Sequence, residues 1–193
     1  MNNPDTFPLA SNREQRLMLK IARDTLFHYL NTRKILDYDP EILPDSMMQK
    51  YGAFVTLFKG LALRGCIGVM ESKEPLYRTI QNQVVASAIS DPRFPVVKFY
   101  ELSQIFIEIS ILGELKKIYS MDEIQLGKHG IYIKSDHHSG TLLPQVAVST
   151  GWTTEEFLGH CSRDKAGLGW DGWKKADIFI YTATVFSEKK CPD

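Results

Sequence analysis

Ile105-Phe106-Ile107-Glu108-Ile109-Ser110-Ile111-Leu112 sets isoleucine at every second position, with Phe106, Glu108 and Ser110 between. A period of two puts the four isoleucines on one face of a β-strand, and a face that apolar has to be covered by other elements. Glu108 is the single charge of the stretch and lies on the opposite face. Two readings follow for it, a solvent-facing carboxylate or an acid or base turned into a groove, and burial decides between them.

Upstream of this strand, Gly52 to Phe58 is rich in Phe, Val and Thr, and after Lys59-Gly60 the apolar character resumes from Leu61 to Val69. That pattern predicts two strands joined by a short turn. Pro75 can occupy a first helical turn, and Leu76, Ile80, Val84 and Ala88 follow at intervals of four, so a helix is predicted that stops before Pro92. Ser11-Asn12-Arg13-Glu14 has the form of a capping box, and Leu17, Met18, Ile21, Ala22 and Tyr29 continue it as an amphipathic helix to about Asn31. Between Arg33 and Lys50, Pro40 and Pro44 among acidic residues predict an extended connection.

Downstream, Ser120 to Glu123 reads as a short capped helix, Gly130 to Lys134 as a strand, and Asp136 to Gly140 as a polar turn leading to Thr141-Leu142-Leu143, where Pro144 interrupts pairing. Thr153-Thr154-Glu155-Glu156 opens a helix through Phe157 and Cys161, and Asp177 to Phe186 alternates as a final strand. Strands connected by turns as well as helices predict an α+β fold with a mainly antiparallel, mixed sheet flanked by helices.

The 193 residues suit one domain, or two lobes sharing a core, and a hydrophobic share of 44% with 24% charged residues is globular in character. Lys plus Arg equals Asp plus Glu at 23 each, and a chain without basic excess is a poor candidate for tracking phosphates, so no nucleic-acid partner is expected. Cys66, Cys161 and Cys191 are odd in number and widely spaced, which fits a reducing compartment and a cytoplasmic location. Met1 to Gln15 lacks the apolar core of a secretion signal, and no apolar run approaches the roughly 18 residues that span a bilayer, so no membrane association is expected.

Chemistry is most concentrated in Leu63-Arg64-Gly65-Cys66-Ile67-Gly68. Residues two apart in a strand face the same side, so Arg64 and Cys66 are predicted to project together, with Gly65 and Gly68 leaving the backbone approachable. A neighbouring guanidinium favours the thiolate, the nucleophilic form of cysteine. The alternative reading is a small buried Cys66 beside a salt-bridged Arg64. Asp91 precedes Pro92 at a helix exit, where its carboxylate could cap backbone groups or meet Arg93 or Arg64. His137-His138 points its rings to opposite sides of a strand with no obvious further ligands, so no metal site is expected there. Gln145 offers an amide to a ligand or a brace to its own loop.

The segment Leu63 to Gly68 resembles the signature of the AMMECR domain family. Asp91-Pro92-Arg93-Phe94-Pro95, Glu108-Ile109-Ser110, Gly140 through Leu143-Pro144-Gln145-Val146, and Lys165-Ala166-Gly167 resemble that family's other landmarks, in the same order, from about Ser11 to Phe186. The departures are Val96-Val97, Leu142 and Cys161, the last of which matches no landmark and is read as core packing. The resemblance implies a single AMMECR-like domain over residues 1–193 with polar tails at about 1–10 and 187–193. It also implies two unequal lobes, with the Arg-Gly-Cys segment near a groove between them.

It implies no known reaction, and no cofactor is specified. Two functions are carried forward. In the first the chain is an enzyme or enzyme component, with Cys66, Arg64, Glu108 and Asp91 as catalytic residues. In the second it is a binding or adaptor module in which Gly65, Gly68, Arg93, Pro144 and Gln145 contribute to a surface for a small-molecule ligand or a partner. Relatives encoded beside, or fused to, Memo-like and radical-SAM proteins suggest what kind of partner that is.

Overall fold

A computed structural model describes residues 11–189, which divide into two compact units, one of residues 11–112 with 184–189 and one of residues 113–183. Both combine helices with a four-stranded sheet, as an α+β fold requires.

The larger unit holds α1 (Asn12–Thr32), β1 (Ala53–Lys59), β2 (Ala62–Val69), α2 (Leu76–Ile89), β3 (Ile105–Leu112) and β8 (Ala183–Ser187), with strand order β2-β1-β3-β8. The capping box at Ser11 is formed. Its hydroxyl accepts from the Glu14 N–H, and the Glu14 carboxylate accepts from the Ser11 N–H at 2.8 Å. Pro75 caps α2 without donating an N–H, as the sequence predicts for a proline at a helix start. Ile105, Ile107, Ile109 and Ile111 are at most 2% exposed, and they pair across β1 with Lys59, Leu57, Val55 and Ala53. These residues and the buried stripes of α1 and α2 form one core. Between Arg33 and Lys50 the expected connection is present, tightened by two 3-10 turns at Pro40–Ile42 and Asp45–Met47.

β1 and β2 meet at a turn through Gly60, whose φ of 65° favours a residue without a Cβ. Their register shifts opposite Leu57 and Phe58, where Gly65 and Leu63 are the paired residues and Arg64 is the extra one. This bulge has consequences for the Arg64 side chain.

The smaller unit holds β4 (Lys116–Ile118), β5 (Gly130–Ser135), β6 (His138–Leu142), α3 (Pro144–Thr150), α4 (Thr154–His160) and β7 (Asp177–Tyr181), with strand order β4-β7-β5-β6. Ile118, Ile131, Ile133, Phe157, Leu158, Cys161 and Ile180 are central to its core. Four features here differ from the sequence expectation. β4 is a short strand whose exposed lysines conceal its pairing with β7. The β5–β6 turn is confined to Asp136-His137, with Asp136 at φ 46°, so His138 already belongs to a strand. Pro144 opens a helix rather than merely ending a strand, because its missing N–H costs nothing in a first helical turn. After α4 the chain continues as a π-turn over Cys161–Lys165.

The stretch from Asp177 to Phe186 is two strands, β7 in one sheet and β8 in the other, separated at Thr182. The expected C-terminal tail also starts later than residue 187. Ser187 ends β8, Glu188 accepts from the Ile107 N–H at 2.8 Å and pairs with Arg23, and the Lys189 ammonium donates to the Gly60 carbonyl at 2.8 Å. Residues 1–10 of the expected N-terminal tail lie outside the described residues. No helix among the described residues is long and apolar enough to cross a membrane.

Candidate functional site

The structure brings Arg64, Gly65, Cys66, Gly68, Asp91, Arg93 and Glu108 into the larger unit, and it gives them separate tasks. Gly65 lies against α2. A Cβ at this position would fall 2.1 Å from the Ser87 carbonyl oxygen, so only glycine lets the helix backbone approach so closely. Ser87 completes the contact. Its hydroxyl donates to the Val55 carbonyl at 2.7 Å and accepts from the Ile67 N–H at 2.8 Å. Gly68 makes room on the other face, where a Cβ would meet the Phe54 ring at 2.3 Å.

Arg64 and Cys66 do not project together, contrary to the alternation that the sequence implied. The bulge diverts Arg64 to Glu101, on which Nε and Nη2 converge at 3.1 and 2.9 Å, while Nη1 donates to the Pro95 carbonyl at 2.7 Å. Both partners are nearly sealed, with side chains 13% and 9% exposed. The Arg64 guanidinium, assisted by the Lys98 N–H and by Lys59, holds the Glu101 carboxyl down at about 2. Arg64 therefore anchors the 95–101 segment to β2.

Asp91 is likewise held by several donors. Its carboxylate accepts from the Cys66 N–H at 2.8 Å, from the Arg93 N–H at 3.1 Å, and from Arg93 Nε and Nη2 at 2.9 and 2.7 Å. The Arg93 guanidinium is the main cause that lowers its pKa far below the ordinary carboxylate value. Arg93 Nη2 also donates to the Cys66 carbonyl at 3.2 Å. Thus the Asp91–Arg93 pair satisfies both backbone groups of Cys66 on the outer edge of β2, where the sheet supplies no neighbour. The arginine beside the cysteine is Arg93, and its side chain remains 47% exposed.

On the sheet face opposite the isoleucines, β1 aligns Thr56 with Cys66 on one side and with Glu108 on the other. The Thr56 hydroxyl donates to Cys66 Sγ at 3.3 Å. Cys66 and Glu108 are both half-buried and stand two strands apart, about 10 Å between Cα atoms. Phe54 with Ser110 flanks this polar row on one side, and the two rings of Phe58 and Phe106 flank it on the other. Glu108, Phe58 and Phe106 also border a cavity of about 190 Å³. Thr56 carried no signal in the sequence as a site residue, because only the pairing register places it between Cys66 and Glu108. Glu101 and Ser87 went unnoticed because only tertiary packing brings a 3-10 turn and α2 against β2.

Pro144 and Gln145 belong to the smaller unit, in the first turn of α3. The Gln145 side-chain oxygen is buried and has no hydrogen-bond partner among the described residues, as do Ser110 Oγ and Trp173 Nε1. Gly140 and Lys165-Ala166-Gly167 form one contact, since a Cβ on Gly140 would fall 2.4 Å from the Ala166 nitrogen. His138 Nδ1 lies 3.2 Å from the Ala166 carbonyl in the same place. His160 stacks on Trp152 at 3.9 Å and meets Asp164 at 2.8 Å, a packing role. Burial pushes the Cys161 thiol up to about 12, which suits a core residue. Among the described residues no group of three or more His, Cys, Asp or Glu side chains is arranged to hold a metal ion.

Comparison with known proteins identifies the family. Residues 19–186 match the AMMECR1 family model. Protein MK0488 of Methanopyrus kandleri is 37% identical over 188 residues, covering 92% of this chain and 89% of that protein. A protein of Methanosarcina mazei is 35% identical over 195 residues, with 96% of each chain covered. The crystal structure of the uncharacterised protein PH0010 from Pyrococcus horikoshii superposes with a TM-score of 0.86 at 33% identity, covering 92% of each chain. The chain belongs to the AMMECR1 family.

Proposed function

We propose that the chain is an enzyme or enzyme component whose working group is the Cys66 thiol, set in the row Cys66–Thr56–Glu108 with Arg93 at its edge. The observation that carries this reading is the hydrogen bond from Thr56 to Cys66 Sγ. A donor aimed at sulfur, beside a half-exposed guanidinium, favours the anionic form that attacks electrophiles. Thr56 also stands between Cys66 and Glu108 in the strand register, which keeps a carboxylate on the same face of the sheet as the thiol. Arg64 and Asp91 support the site by holding β2 and the 91–101 segment in place. The substrate class that fits a thiolate is an electrophilic carbon or a disulfide.

The test is alkylation of the folded protein at pH 7 by iodoacetamide, with peptide mass spectrometry separating Cys66 from Cys161 and Cys191. Cys66 is expected to label faster than a small free thiol, and Arg93→Gln to slow it several-fold. Labelling of Cys66 only after unfolding would remove the nucleophile.

A second reading, a binding module for a Memo-like or radical-SAM partner, is favoured by one observation. Phe27 and Phe99, 53% and 46% exposed, pack ring to ring at 5.4 Å, and Tyr100 follows at 76% exposed next to the Arg64–Glu101 anchor. Aromatic side chains left in water on a well-packed unit are typical of interface hot spots. Co-purification lost on Phe99→Asp but kept by Cys66→Ser would favour this reading over the catalytic one.

A further inference from the structure

Phe58 and Phe106 are direct cross-strand partners on the sheet face opposite the isoleucines, and Glu108 is the next residue along that face of β3. Together with Leu61, which is 95% exposed at the β1–β2 turn, they border the cavity of about 190 Å³. Two aromatic side chains and a carboxylate bordering a small apolar hollow are complementary to an alkylammonium group. The rings attract the charge through their quadrupoles, the carboxylate matches its sign, and the hollow takes the methylenes.

One ammonium is already seated there. Lys189 Nζ stands 4.2 Å from the centre of the Phe106 ring and donates to the Gly60 carbonyl at 2.8 Å. Lys189 is exposed and lies beyond the last strand, so its hold on the site rests on these contacts rather than on core packing.

We propose that this cavity is a binding site for a primary alkylammonium group, and that Lys189 is an intramolecular occupant which a ligand of the same chemistry displaces. The lysine terminus fits because an ammonium finds a carbonyl acceptor and a ring face at once, in a cavity that the Glu108 carboxylate also borders. Any ligand carrying a short alkyl chain ending in an ammonium meets the same three groups. The proposal rests on the Phe58–Phe106–Glu108 surface and not on Cys66. It shares Glu108 with the reading above, but neither requires the other.

The test is titration of the full chain with n-butylammonium, followed by the chemical shifts of the Phe58, Phe106 and Glu108 amides, with n-butanol as the neutral control. Lys189→Ala removes the internal competitor without touching the core, so butylammonium is expected to bind it at least about threefold more tightly than the wild type. Butanol is expected to leave these signals in place, and Glu108→Gln in the Lys189→Ala background to weaken butylammonium several-fold. Equal affinity of the wild type and Lys189→Ala overturns the proposal, as does butanol binding as well as butylammonium. Alkylation of Cys66 in the Lys189→Ala protein separates the two readings, since a failed butylammonium titration with fast Cys66 labelling leaves the thiol site standing.

Discussion

The outer edge of β2 and its open face carry residues of one short segment to opposite ends. At the edge, charged side chains are engaged by backbone groups and by one another. Arg64 is spent on Glu101 and the Pro95 carbonyl, and Asp91 and Arg93 close on the two backbone groups of Cys66. On the face, Cys66 and Glu108 are half-buried around Thr56, and the hollow beside Glu108 has room for a small group. The nearly buried Arg64–Glu101 pair makes rigid scaffolding, because removing one partner strands the other in a poor dielectric. A thiol with one hydroxyl donor and an accessible guanidinium nearby is arranged for chemistry. A motif that reads as one unit in sequence is thus divided between holding and reacting.

The sharpest way to break this division is at its two glycines. Gly65→Ala drives a Cβ into the Ser87 carbonyl, a backbone atom that cannot move without displacing α2, so a loss of about 3 kcal/mol or more is expected in urea unfolding. Gly68→Ala meets the Phe54 ring, which can rotate aside, and also the Ala53 carbonyl oxygen 2.6 Å away, so about 2 kcal/mol is expected. Equal losses would show that the α2 contact is looser than the structure has it.

The next test is the Arg64–Glu101 anchor. Glu101→Gln leaves a nearly buried guanidinium without its countercharge and is expected to cost about 3 kcal/mol at pH 7. The carboxyl titrates near 2 in the folded chain against an ordinary 4.5, so its contribution is fully present above pH 4.5 and fades as pH falls toward 2. The stability gap between the wild type and Glu101→Gln should therefore close across that window. A gap that stays constant from pH 7 to pH 3 would mean that the charge of Glu101 does not stabilise the fold.

How much of this was legible in the sequence depends on whether local pattern or strand register decides. The alternation of β3, the capping box of α1 and the four-residue rhythm of α2 are local, and each element stands where its pattern placed it. The divergence of Arg64 from Cys66 is set by a bulge that exists only once β1 and β2 are paired, so simple alternation pointed it to the wrong side. Thr56 entered the site the same way, through partners that are 10 and 52 residues away in sequence. In Asp177 to Phe186 the apolar rhythm runs on through Thr182, and nothing local marks the change from one sheet to the other. Asp91 was the intermediate case. Its place before a proline suggested a carboxylate bound to backbone, and only the structure supplied Cys66 as the acceptor's partner.

The smallest expected effect sets the two cysteines against each other. Cys66→Ser keeps a hydroxyl beside Thr56 on a half-buried face, and a cost under about 1 kcal/mol is expected. Cys161→Ser puts a hydroxyl into the apolar core around Phe157 and Leu158 and should cost about 2 kcal/mol unless it finds a partner. If the Cys66 thiol has a chemical role, its replacement removes alkylation and any activity while the unfolding midpoint scarcely moves. If Cys66→Ser is instead as damaging to stability as Cys161→Ser, then the sulfur is packed rather than presented, and the open face of β2 belongs with its edge as scaffold.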